Sequence, residues 1–540
     1  MYQQTELQSV QKTINLPTGN IKRSLAKAVF SLSAIAVCAR LFGFAEKIVV
    51  AHFFGTTETA DVYFAVMGIV FSIVFLVKEL VYPSLLPVFT RTLNETGGAS
   101  SSLFRKMFLY VTGVLVITAI ALFAFGPSVI KSLLPGFSGS QRDAACYLLR
   151  VLLPGLICLG LMMVTYTTLN ARKRFVVSAF GELGFRLFII IGFITFLPIF
   201  GMHAIGPVIG VGALVCLLGH LYCLKEPEFI LRPGHADSAH LGTVLVLMAP
   251  LVLGVVFSHI GGLIDNLLAS QLPKGQLSCL GYAKRMIDTI LVMGPAALVT
   301  VMYTHTSHLS SSNQLDKLAR LLNKAVRILL FLSIPLTCLV IELREPLLKC
   351  VFQHGRFNAD SVASTSTVLM VYALGLITLS LEGLMVHSFF ALRDTKTPTT
   401  IGIVCVVIRV ILAITFLTHF QYLAIAGALI VSKTIKLAVL GSLLRRRLKG
   451  LVDVHIASFL LKTLFATFLL WCTLRLFSGC DAADSWGQTA LLRLLLPATA
   501  GMLSFVLSSY LLKIEECRTI LLMTVFKNKR INSWEQEHDG

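Results

Sequence analysis

The stretch CARLFGFAEKIVVAHFFGTTETAD, residues 38–61, places an arginine, a glutamate and a lysine inside an apolar run long enough to cross a bilayer. A helix of about 20 apolar residues spans the hydrocarbon core. A charged side chain at the centre of such a span costs about 3 kcal/mol on insertion scales, so it usually faces a partner or a water-filled cavity. Arg40, Glu46 and Lys47 are therefore the first candidates for a functional site.

The composition is that of an integral membrane protein. Of the 540 residues, 56% are hydrophobic and 14% are charged, and the mean hydropathy is +0.82. A soluble domain carries far more polar surface. The 12 cysteines occur singly, without a CxxC pair or histidines at zinc-ligand spacing. We interpret them as small buried hydrophobes and expect neither a metal site nor a cofactor.

Hydropathy and charge predict an all-α polytopic membrane protein with about fourteen transmembrane helices and both termini in the cytoplasm. The loops predicted to be cytoplasmic collect basic residues, as at 172–174 and 445–449, whereas the loops at 55–61 and 478–487 contain no lysine or arginine. This asymmetry follows the positive-inside rule. It accounts for the net charge of +19, and we expect no nucleic-acid partner because no basic stretch has interleaved aromatic residues.

A faint repeat relates the two halves of the chain. Residues 48–67 match residues 266–286, which pairs the first two predicted spans with the seventh and eighth. Transporters built from two such halves bind their substrate at the interface between them. The predicted organisation is a cytoplasmic N-terminal segment (1–28), a six-span N-lobe (29–224), a cytoplasmic linker (225–242), a six-span C-lobe (243–443), two further spans (456–512) and a cytoplasmic tail (513–540).

Charged side chains in the first two spans share helix faces. Arg40 and Lys47 are two turns apart, and Asp61 and Glu79 are five turns apart, near opposite ends of the second span. Lys78 adjoins Glu79 near the predicted cytoplasmic end, where a lysine reaches the interface at little cost.

Charged residues in later spans complete the set. Glu182 and Arg186 have the spacing of a stabilising helix ion pair, for which we expect a structural role. Asp265 in the seventh span is a candidate ligand for a coupling cation. Arg409 and Lys433 have no evident partner within their own spans.

Arg40 and Arg285 indicate the class of substrate. Both fall in the half of their span that should line a crevice between the two lobes, and arginine is suited to bidentate capture of phosphate oxygens. A cationic cavity predicts an anionic cargo that crosses the bilayer. A lipid with a phosphate or pyrophosphate head is the natural candidate.

The segment ARLFGFAEKIVVAHFFGTTETADVYF, residues 39–64, resembles the opening motif of the MurJ/MviN family of lipid II flippases. Similar motifs follow in the family's order: LPGF (134–137), TLNARKRF (168–175), APLVLG (249–254), GYAKRM (281–286), VFQHGRF (351–357) and LRDTKTP (392–398). The family belongs to the multidrug/oligosaccharidyl-lipid/polysaccharide exporter superfamily. The resemblance implies two six-helix lobes around a V-shaped cavity and two C-terminal helices (456–512) that form a groove for the lipid tail.

The resemblance extends to some site residues and not to others. Four residues match functional positions of the family, namely Arg40, Asp61, Glu79 and Arg285. Three other arginines of the family fall on Glu46, Val74 and Phe75. Lys47 and Lys78 are candidates to supply the missing positive charge, although a lysine does not reproduce the arginine fork. The identity of the head group therefore stays open.

The residues and the resemblance together predict a flippase, not an enzyme. It would move a polyprenyl-pyrophosphate-linked precursor, most simply lipid II, from the cytoplasmic to the periplasmic leaflet of a bacterial inner membrane by alternating access. The predicted substrate-binding residues are Arg40, Arg285 and Lys47, and the predicted gating or charge partners are Asp61, Glu79 and Lys78. The sequence contains no GxxxxGK[ST] loop for ATP, so the expected energy source is the membrane potential or a coupling ion.

Three other functions fit parts of the pattern. A cation-coupled multidrug exporter, or an exporter of another lipid-linked oligosaccharide, would share the superfamily fold, but a cationic cargo favours an anionic cavity. A membrane-embedded acyl- or glycosyltransferase would need paired carboxylates or a Ser/His/Asp or Cys/His set, and none is evident. A non-transporting pseudo-flippase would fit the missing arginines.

Overall fold

The structure, a computed structural model, describes residues 18–96, 101–224, 238–295, 314–448, 456–479 and 490–519, with isolated residues between 298 and 310. These residues form helices joined by short turns, and none of them lies in a strand, which confirms the all-α fold class. The helices are α1 (Thr18–Phe54), α2 (Glu58–Thr96), α3 (Ser101–Leu133), α4 (Gly139–Ala171), α5 (Phe175–Phe200), α6 (Ile205–Cys223), α7 (Ser238–Ser270), α8 (Gln276–Met293), α9 (Leu315–Glu342), α10 (Arg344–Phe352), α11 (Ala359–Leu374), α12 (Leu376–Ala391), α13 (Lys396–Phe420), α14 (Tyr422–Arg447), α15 (Ile456–Gly479) and α16 (Ala490–Leu511).

These helices have the length and composition of membrane spans. Within the described residues, nine segments are long and apolar enough to cross a membrane, and the number rises to eleven if each of two bent helix pairs is one span. One bent pair lies within α7. The other consists of α11 and α12, which meet at an angle of 42° around Gly375 and together correspond to the predicted tenth span.

The longest apolar segment, 49 residues from Phe175 to Cys223, is a helical hairpin. A short 3₁₀ helix, Gly201–Ala204, separates α5 from α6. The two helices then pack closely side by side, because a Cβ atom on Gly192 of α5 would overlap Val208 of α6. This segment therefore supplies two spans.

Parts of the predicted organisation lie outside the described residues. They are most of the N-terminal segment (1–28), most of the linker (225–242) and most of the tail (513–540). The domain boundaries and the total of fourteen spans therefore stay predictions.

Backbone turns recur in the two halves with a constant separation of 220 residues. Three pairs of residues with positive φ have this separation, namely Gly55 and Gly275, Lys173 and Arg393, and Gly201 and Gln421. The N-cap residues Ser138 of α4 and Asn358 of α11 have the same separation. Each of these residues marks the end of a helix, so the two halves share one order of helices and turns. The faint sequence repeat is part of this longer structural repeat.

The turn between α12 and α13 explains the LRDTKTP motif. Asp394 accepts hydrogen bonds from the N–H (3.0 Å) and hydroxyl (2.7 Å) of Thr397 and pairs with Arg447 at the end of α14 (2.6 Å). The Thr397 hydrogen bonds, and then Arg447, lower the pKa of the Asp394 carboxyl to about 2. The carboxylate is therefore charged at neutral pH, which is favourable beside the N-terminus of α13.

Buried apolar side chains of the described residues form four clusters. The largest includes Tyr63 and Tyr282 and joins helices of both halves. A second, around Phe104, is formed mainly by the first half together with α7, and a third lies in the second half around Leu384. The fourth, around Phe505, packs α15 and α16 against α9. The last two helices are therefore attached to the molecule through the second half.

Large apolar side chains also cover the outside of the helices. Ile117 and Ile199 are each 69% exposed, and Leu461 is 70% exposed. Extended apolar surface of this kind is unstable in water and marks contact with a membrane or a partner. The hydropathy of the spans indicates that lipid surrounds these exposed side chains.

The two halves interlock where α1 meets α2, a region that we call the α1–α2 end. The N–H of Arg356 donates to the carbonyl of His52 (2.9 Å), and the hydroxyl of Tyr282 donates to the carbonyl of Gly55 (3.0 Å). A Cβ atom on Gly275 would overlap the backbone of the α1–α2 turn. Backbone segments of the two halves are thus in direct contact, and this end of the molecule is closed.

Replacement of Gly275 by alanine should loosen this closure. Gly275 has a φ of +86°, which strains any residue with a Cβ atom, and the new methyl group would overlap the facing backbone. We expect a loss of about 1–3 kcal/mol in the free energy of unfolding, measured as a lower midpoint of thermal unfolding.

Gly262→Ala in α7 is the matched control, since no atom lies within 4 Å of its added Cβ and alanine favours a helix interior by about 1 kcal/mol. Equal unfolding midpoints for the two variants would contradict the interlock.

Candidate functional site

A fully buried carboxylate, Glu46, lies at the centre of an ionic cluster formed by α1, α2 and α5. Its Oε1 accepts hydrogen bonds from Lys47 Nζ (2.7 Å) and the Tyr63 hydroxyl (2.7 Å), and its Oε2 accepts one from Arg186 Nη1 (2.7 Å). Lys47 also donates to the Tyr63 hydroxyl (2.6 Å). Two cations thus share one carboxylate, which leaves an excess positive charge where water is scarce.

Arg285 of α8 adds a further cation beside this cluster. A Cβ atom on Gly43 would overlap Arg285 Nη2 and would lie 3.5 Å from Arg186 Nε. The two guanidinium groups therefore meet at Gly43, where the missing side chain gives them room. Arg285 is attracted by Glu46 and repelled by Arg186. Its buried Nε has no hydrogen-bond partner within the described residues, so a donor is available for an anion.

Arg40 lies at the exposed edge of the same site. Arg40, Gly43 and Lys47 follow one stripe of α1, at positions i, i+3 and i+7. Arg40 is exposed, and both Arg40 and Arg285 interact electrostatically with Asp288 of α8. The structure therefore brings the three predicted binding residues to one region, with Lys47 and Arg285 buried more deeply than Arg40.

Asp61 joins the two halves at the α1–α2 end. Its carboxylate is 3% exposed and accepts hydrogen bonds from the backbone N–H groups of Gly275 (2.6 Å) and Ser278 (2.7 Å). These N–H groups belong to the first turn of α8, where a negative charge is favourable. Glu58 of α2 pairs with Lys274 beside them. A residue of the first half thus caps a helix of the second half.

Glu79 and Lys78 lie toward the other end of α2. Eighteen residues of helix separate Glu79 from Asp61, which corresponds to about 27 Å. Glu79 faces His259 of α7 (3.4 Å), and Lys78 faces Glu182 of α5 (4.0 Å). Glu79 therefore makes a contact between the halves, whereas Lys78 makes one within the first half.

Two positions at which the resemblance implied arginines have apolar roles in the structure. Val74 is 3% exposed and belongs to the largest apolar cluster, and Phe75 stacks on the ring of His259. Neither position, nor Lys78, adds a cation to the cluster around Glu46.

Asp265 lies apart from this cluster, in the second half. Its carboxylate pairs with the guanidinium of Arg409, which is the partner that the sequence did not reveal. A mobile cation could bind Asp265 only after Arg409 moved away, so a role in ion coupling stays a prediction. Within the described residues, no group of three or more His, Cys, Asp or Glu side chains could hold a metal ion, and the eleven described cysteines are free.

Comparison with known proteins identifies the family. The family model of the lipid II flippase MurJ matches residues 50–510. The chain belongs to the MurJ family. A probable lipid II flippase MurJ of Vibrio cholerae is 27% identical over 436 residues, which cover 78% of this chain and 83% of that protein.

Two solved structures place the MurJ-family chain in a wider fold group. A lipid II flippase MurJ in an inward closed conformation matches with a TM-score of 0.75 and 21% identity, over 89% of this chain and 98% of that one. An inward-facing MATE multidrug resistance transporter of the MOP superfamily matches with a TM-score of 0.66 and 16% identity, over 78% and 98%. At these identities the matches establish the fold alone.

Arg186 is the site residue that sequence reasoning missed in this MurJ-family chain. The expected pair with Glu182 is wrong, because Arg186 bonds to Glu46 and Glu182 faces Lys78. A helix-surface pair gains about 0.5 kcal/mol, whereas an unpaired buried carboxylate costs several kcal/mol. The signal for Arg186 was the acidic residue at position 46 where the resemblance implied an arginine, since such a charge reversal requires a new cation nearby.

Substitutions in the Glu46 cluster should lower the free energy of unfolding by different amounts, according to the charges that they leave unpaired. Glu46→Gln leaves two neighbouring cations without a carboxylate and should cost about 3–5 kcal/mol. Arg186→Gln leaves Glu46 and Lys47 as a balanced pair and should cost about 2 kcal/mol. The free energy of unfolding of the double variant should lie between those of the single variants. A double-mutant cycle of unfolding free energies measures this.

Glu182→Gln is the control for this cycle. Glu182 is 44% exposed and faces Lys78, which is 35% exposed, and exposed pairs contribute about 0–1 kcal/mol. A larger loss for Arg186→Gln than for Glu46→Gln would show that the charge balance is different from the one described.

Proposed function

We propose that the protein is a lipid II flippase, which moves a polyprenyl-pyrophosphate-linked peptidoglycan precursor from the cytoplasmic to the periplasmic leaflet of a bacterial inner membrane. The observation that carries this proposal is the excess positive charge around Glu46 and Arg285 in a chain of the MurJ family. A diphosphate supplies the oxygen acceptors and the negative charge that these cations lack. The same excess disfavours a cationic drug as cargo.

Arg285 and Lys47 would hold the pyrophosphate, and Arg40 would meet it at the exposed edge. The guanidinium fork of Arg285 binds two phosphate oxygens at once, which Lys47 cannot do. Arg186 would provide a second fork. Because Arg186 bonds to Glu46 in the structure, incoming phosphate oxygens would compete with Glu46 for it.

Helix α8 links cargo binding to the gate. Asp61 holds the first turn of α8, and Arg285 lies about 15 Å farther along the same helix. A displacement of α8 by the cargo at Arg285 would therefore act directly on the hydrogen bonds to Asp61. At the other end of α2, the half-exposed Glu79 and its partner His259 would form the second gate. Alternating access requires that the two ends open in turn.

The distribution of basic residues orients the molecule. The turn at Arg172–Arg174 and the end of α14 at Arg445–Arg447 both lie at the end opposite to the α1–α2 end. By the positive-inside rule that end faces the cytoplasm. The closed α1–α2 end would then face the periplasm, with both termini in the cytoplasm.

The last two helices would accommodate the lipid tail. Leu461, Phe465 and Phe468 follow one stripe of α15, and Leu503 and Leu507 follow one stripe of α16. All five side chains are more than half exposed. A polyprenyl chain in contact with these stripes would stay in an apolar environment while its head crosses the cavity.

The membrane potential would favour this direction of transport. The cytoplasmic side is negative, and the potential is worth about 2.3 kcal/mol per charge at 100 mV. Outward movement of an anionic head is therefore downhill. Because Arg409 already pairs with Asp265, the membrane potential is favoured as the energy source over a mobile cation bound to that carboxylate.

Arg285→Gln should remove most of the translocation activity. Loss of charge-assisted hydrogen bonds worth about 1.5–3 kcal/mol weakens binding of the diphosphate by about 10- to 150-fold. The test is rescue of a bacterium depleted of its own lipid II flippase, with the precursor quantified separately in the two leaflets. The wild-type chain should restore precursor in the outer leaflet, and the variant should fail.

The control is Arg150→Gln, because Arg150 is an exposed cation on α4 that lies over the ring of Phe123. It should behave as the wild type. No rise of outer-leaflet precursor with the wild-type chain would reject the flippase function, and stronger export of cationic dyes by Arg285→Gln would favour a drug exporter.

A further inference from the structure

The second half contains an ionic cluster of its own. Glu382 of α12 accepts from both Lys433 (2.9 Å) and Lys436 (2.7 Å) of α14. Beside them, Arg409 of α13 pairs with Asp265 of α7. As at Glu46, two cations share one buried carboxylate. None of these residues belongs to the site around Arg285.

The two clusters occupy related places in the two halves. Glu46 and Arg186 connect α1 with α5, and Asp265 and Arg409 connect α7 with α13, the equivalent helices of the second half. Asp265 lies 219 residues after Glu46, and Arg409 lies 223 residues after Arg186, close to the 220-residue repeat of the backbone turns. The same type of pairing therefore recurs in both halves.

The cations of the second cluster line a cavity of 850 Å³ between α7, α12, α13 and α14. Lys396, Arg409, Lys433 and Lys436 lie in its wall, and Glu79 lies at its edge toward the first half. The Nε of Arg409 is buried and has no hydrogen-bond partner within the described residues. As with Arg285, a donor is available for an acceptor that this part of the chain does not supply.

The charges around this cavity do not cancel. Its three more buried cations, Arg409, Lys433 and Lys436, share two carboxylates, those of Glu382 and Asp265. Lys396 is exposed, and the half-exposed Glu79 pairs with His259. An excess positive charge in a partly apolar cavity is stabilised by an anion that forms charge-assisted hydrogen bonds. A cavity of this size holds far more than a single small ion.

We propose that this cavity is a second oxyanion site, which takes a carboxylate of the cargo's polar head while Arg285 and Lys47 hold the pyrophosphate. The assignment of the ligand to the cargo rests on the proposed flippase function, whereas the site itself does not. The polar head of a peptidoglycan precursor carries a peptide, and its carboxylate has the required charge. The site would let the second half recognise the head beyond its pyrophosphate.

Equilibrium binding of radiolabelled inorganic phosphate to the purified full-length protein, at constant ionic strength, tests the site. The wild type should bind two phosphates per chain, and Arg285→Gln should bind one. In the Arg285→Gln background, Lys433→Gln should weaken the remaining binding by about tenfold, the effect of losing about 1.4 kcal/mol. Glu382→Gln should strengthen it, because Glu382 competes with the ligand for the same two ammonium groups.

The opposite signs of these two effects on phosphate affinity distinguish a binding site from a purely structural cluster. A purely structural cluster predicts that both substitutions lower the unfolding midpoint and that neither changes phosphate affinity, which would overturn the proposal. Lys433→Gln leaves Glu382 and Lys436 as a balanced pair, so this variant should fold. The matched control is Lys462→Gln on α15, where the lysine is exposed, and it should keep the affinity of its background.

Competition in Arg285→Gln identifies the source of the oxyanion. Displacement of phosphate by N-acetyl-alanylalanine, and not by its C-terminal amide, supports a peptide carboxylate of the cargo. Displacement by short-chain phosphatidylglycerol alone would overturn the assignment to the cargo and indicate a lipid headgroup. One phosphate per wild-type chain, lost in Arg285→Gln, would overturn the second site and leave the flippase function intact.

Discussion

The contact of Glu46 with Lys47 and Arg186 sets the geometry of the candidate site. Glu46 is fully buried, so its charge is stabilised by neighbouring cations and not by water. This requirement fixes α5 against α1 through Arg186. It also leaves the guanidinium of Arg186 next to Gly43, where Arg285 of α8 meets it. The distance between the two arginines therefore depends on one carboxylate and on one missing side chain, and a larger residue at Gly43 would separate them.

Helix α8 connects this cluster with the α1–α2 end. Its first turn is held by the Asp61 carboxylate through two backbone N–H groups, and hydrogen bonds of this kind weaken steeply when their angle changes. In the proposed mechanism, α8 would transmit a displacement at Arg285 to that turn. Under the proposed function, binding of an anion and opening of the α1–α2 end would thus be steps of one movement.

The sequence was sufficient for the fold class and insufficient for the pairing of charges. Hydropathy revealed the helices, and spacing along a helix placed Arg40 and Lys47 on one face. Spacing says nothing about which other helix that face meets. The partner of Glu46, Arg186, lies 140 residues away on α5. Glu182 is nearer to Arg186 along the chain, but it is exposed to solvent, which stabilises its charge, so it gains less from pairing with Arg186. Tertiary packing therefore decides both pairings, because the more deeply buried carboxylate gains more from a neighbouring cation.

The absence of arginine at positions 46, 74 and 75, where the resemblance implied one, bears on where the proposed cargo head would be held. Val74 and Phe75 turn the middle of α2 into an apolar surface, on which His259 stacks. Lys78 faces Glu182 and the ring of Tyr166, away from the cluster. The cations of the first half are therefore concentrated at the junction of α1, α5 and α8 and are not spread along α2. Under the proposed function, a diphosphate drawn to that junction would sit against α8, the helix whose first turn Asp61 holds, and so next to the element proposed to open the gate.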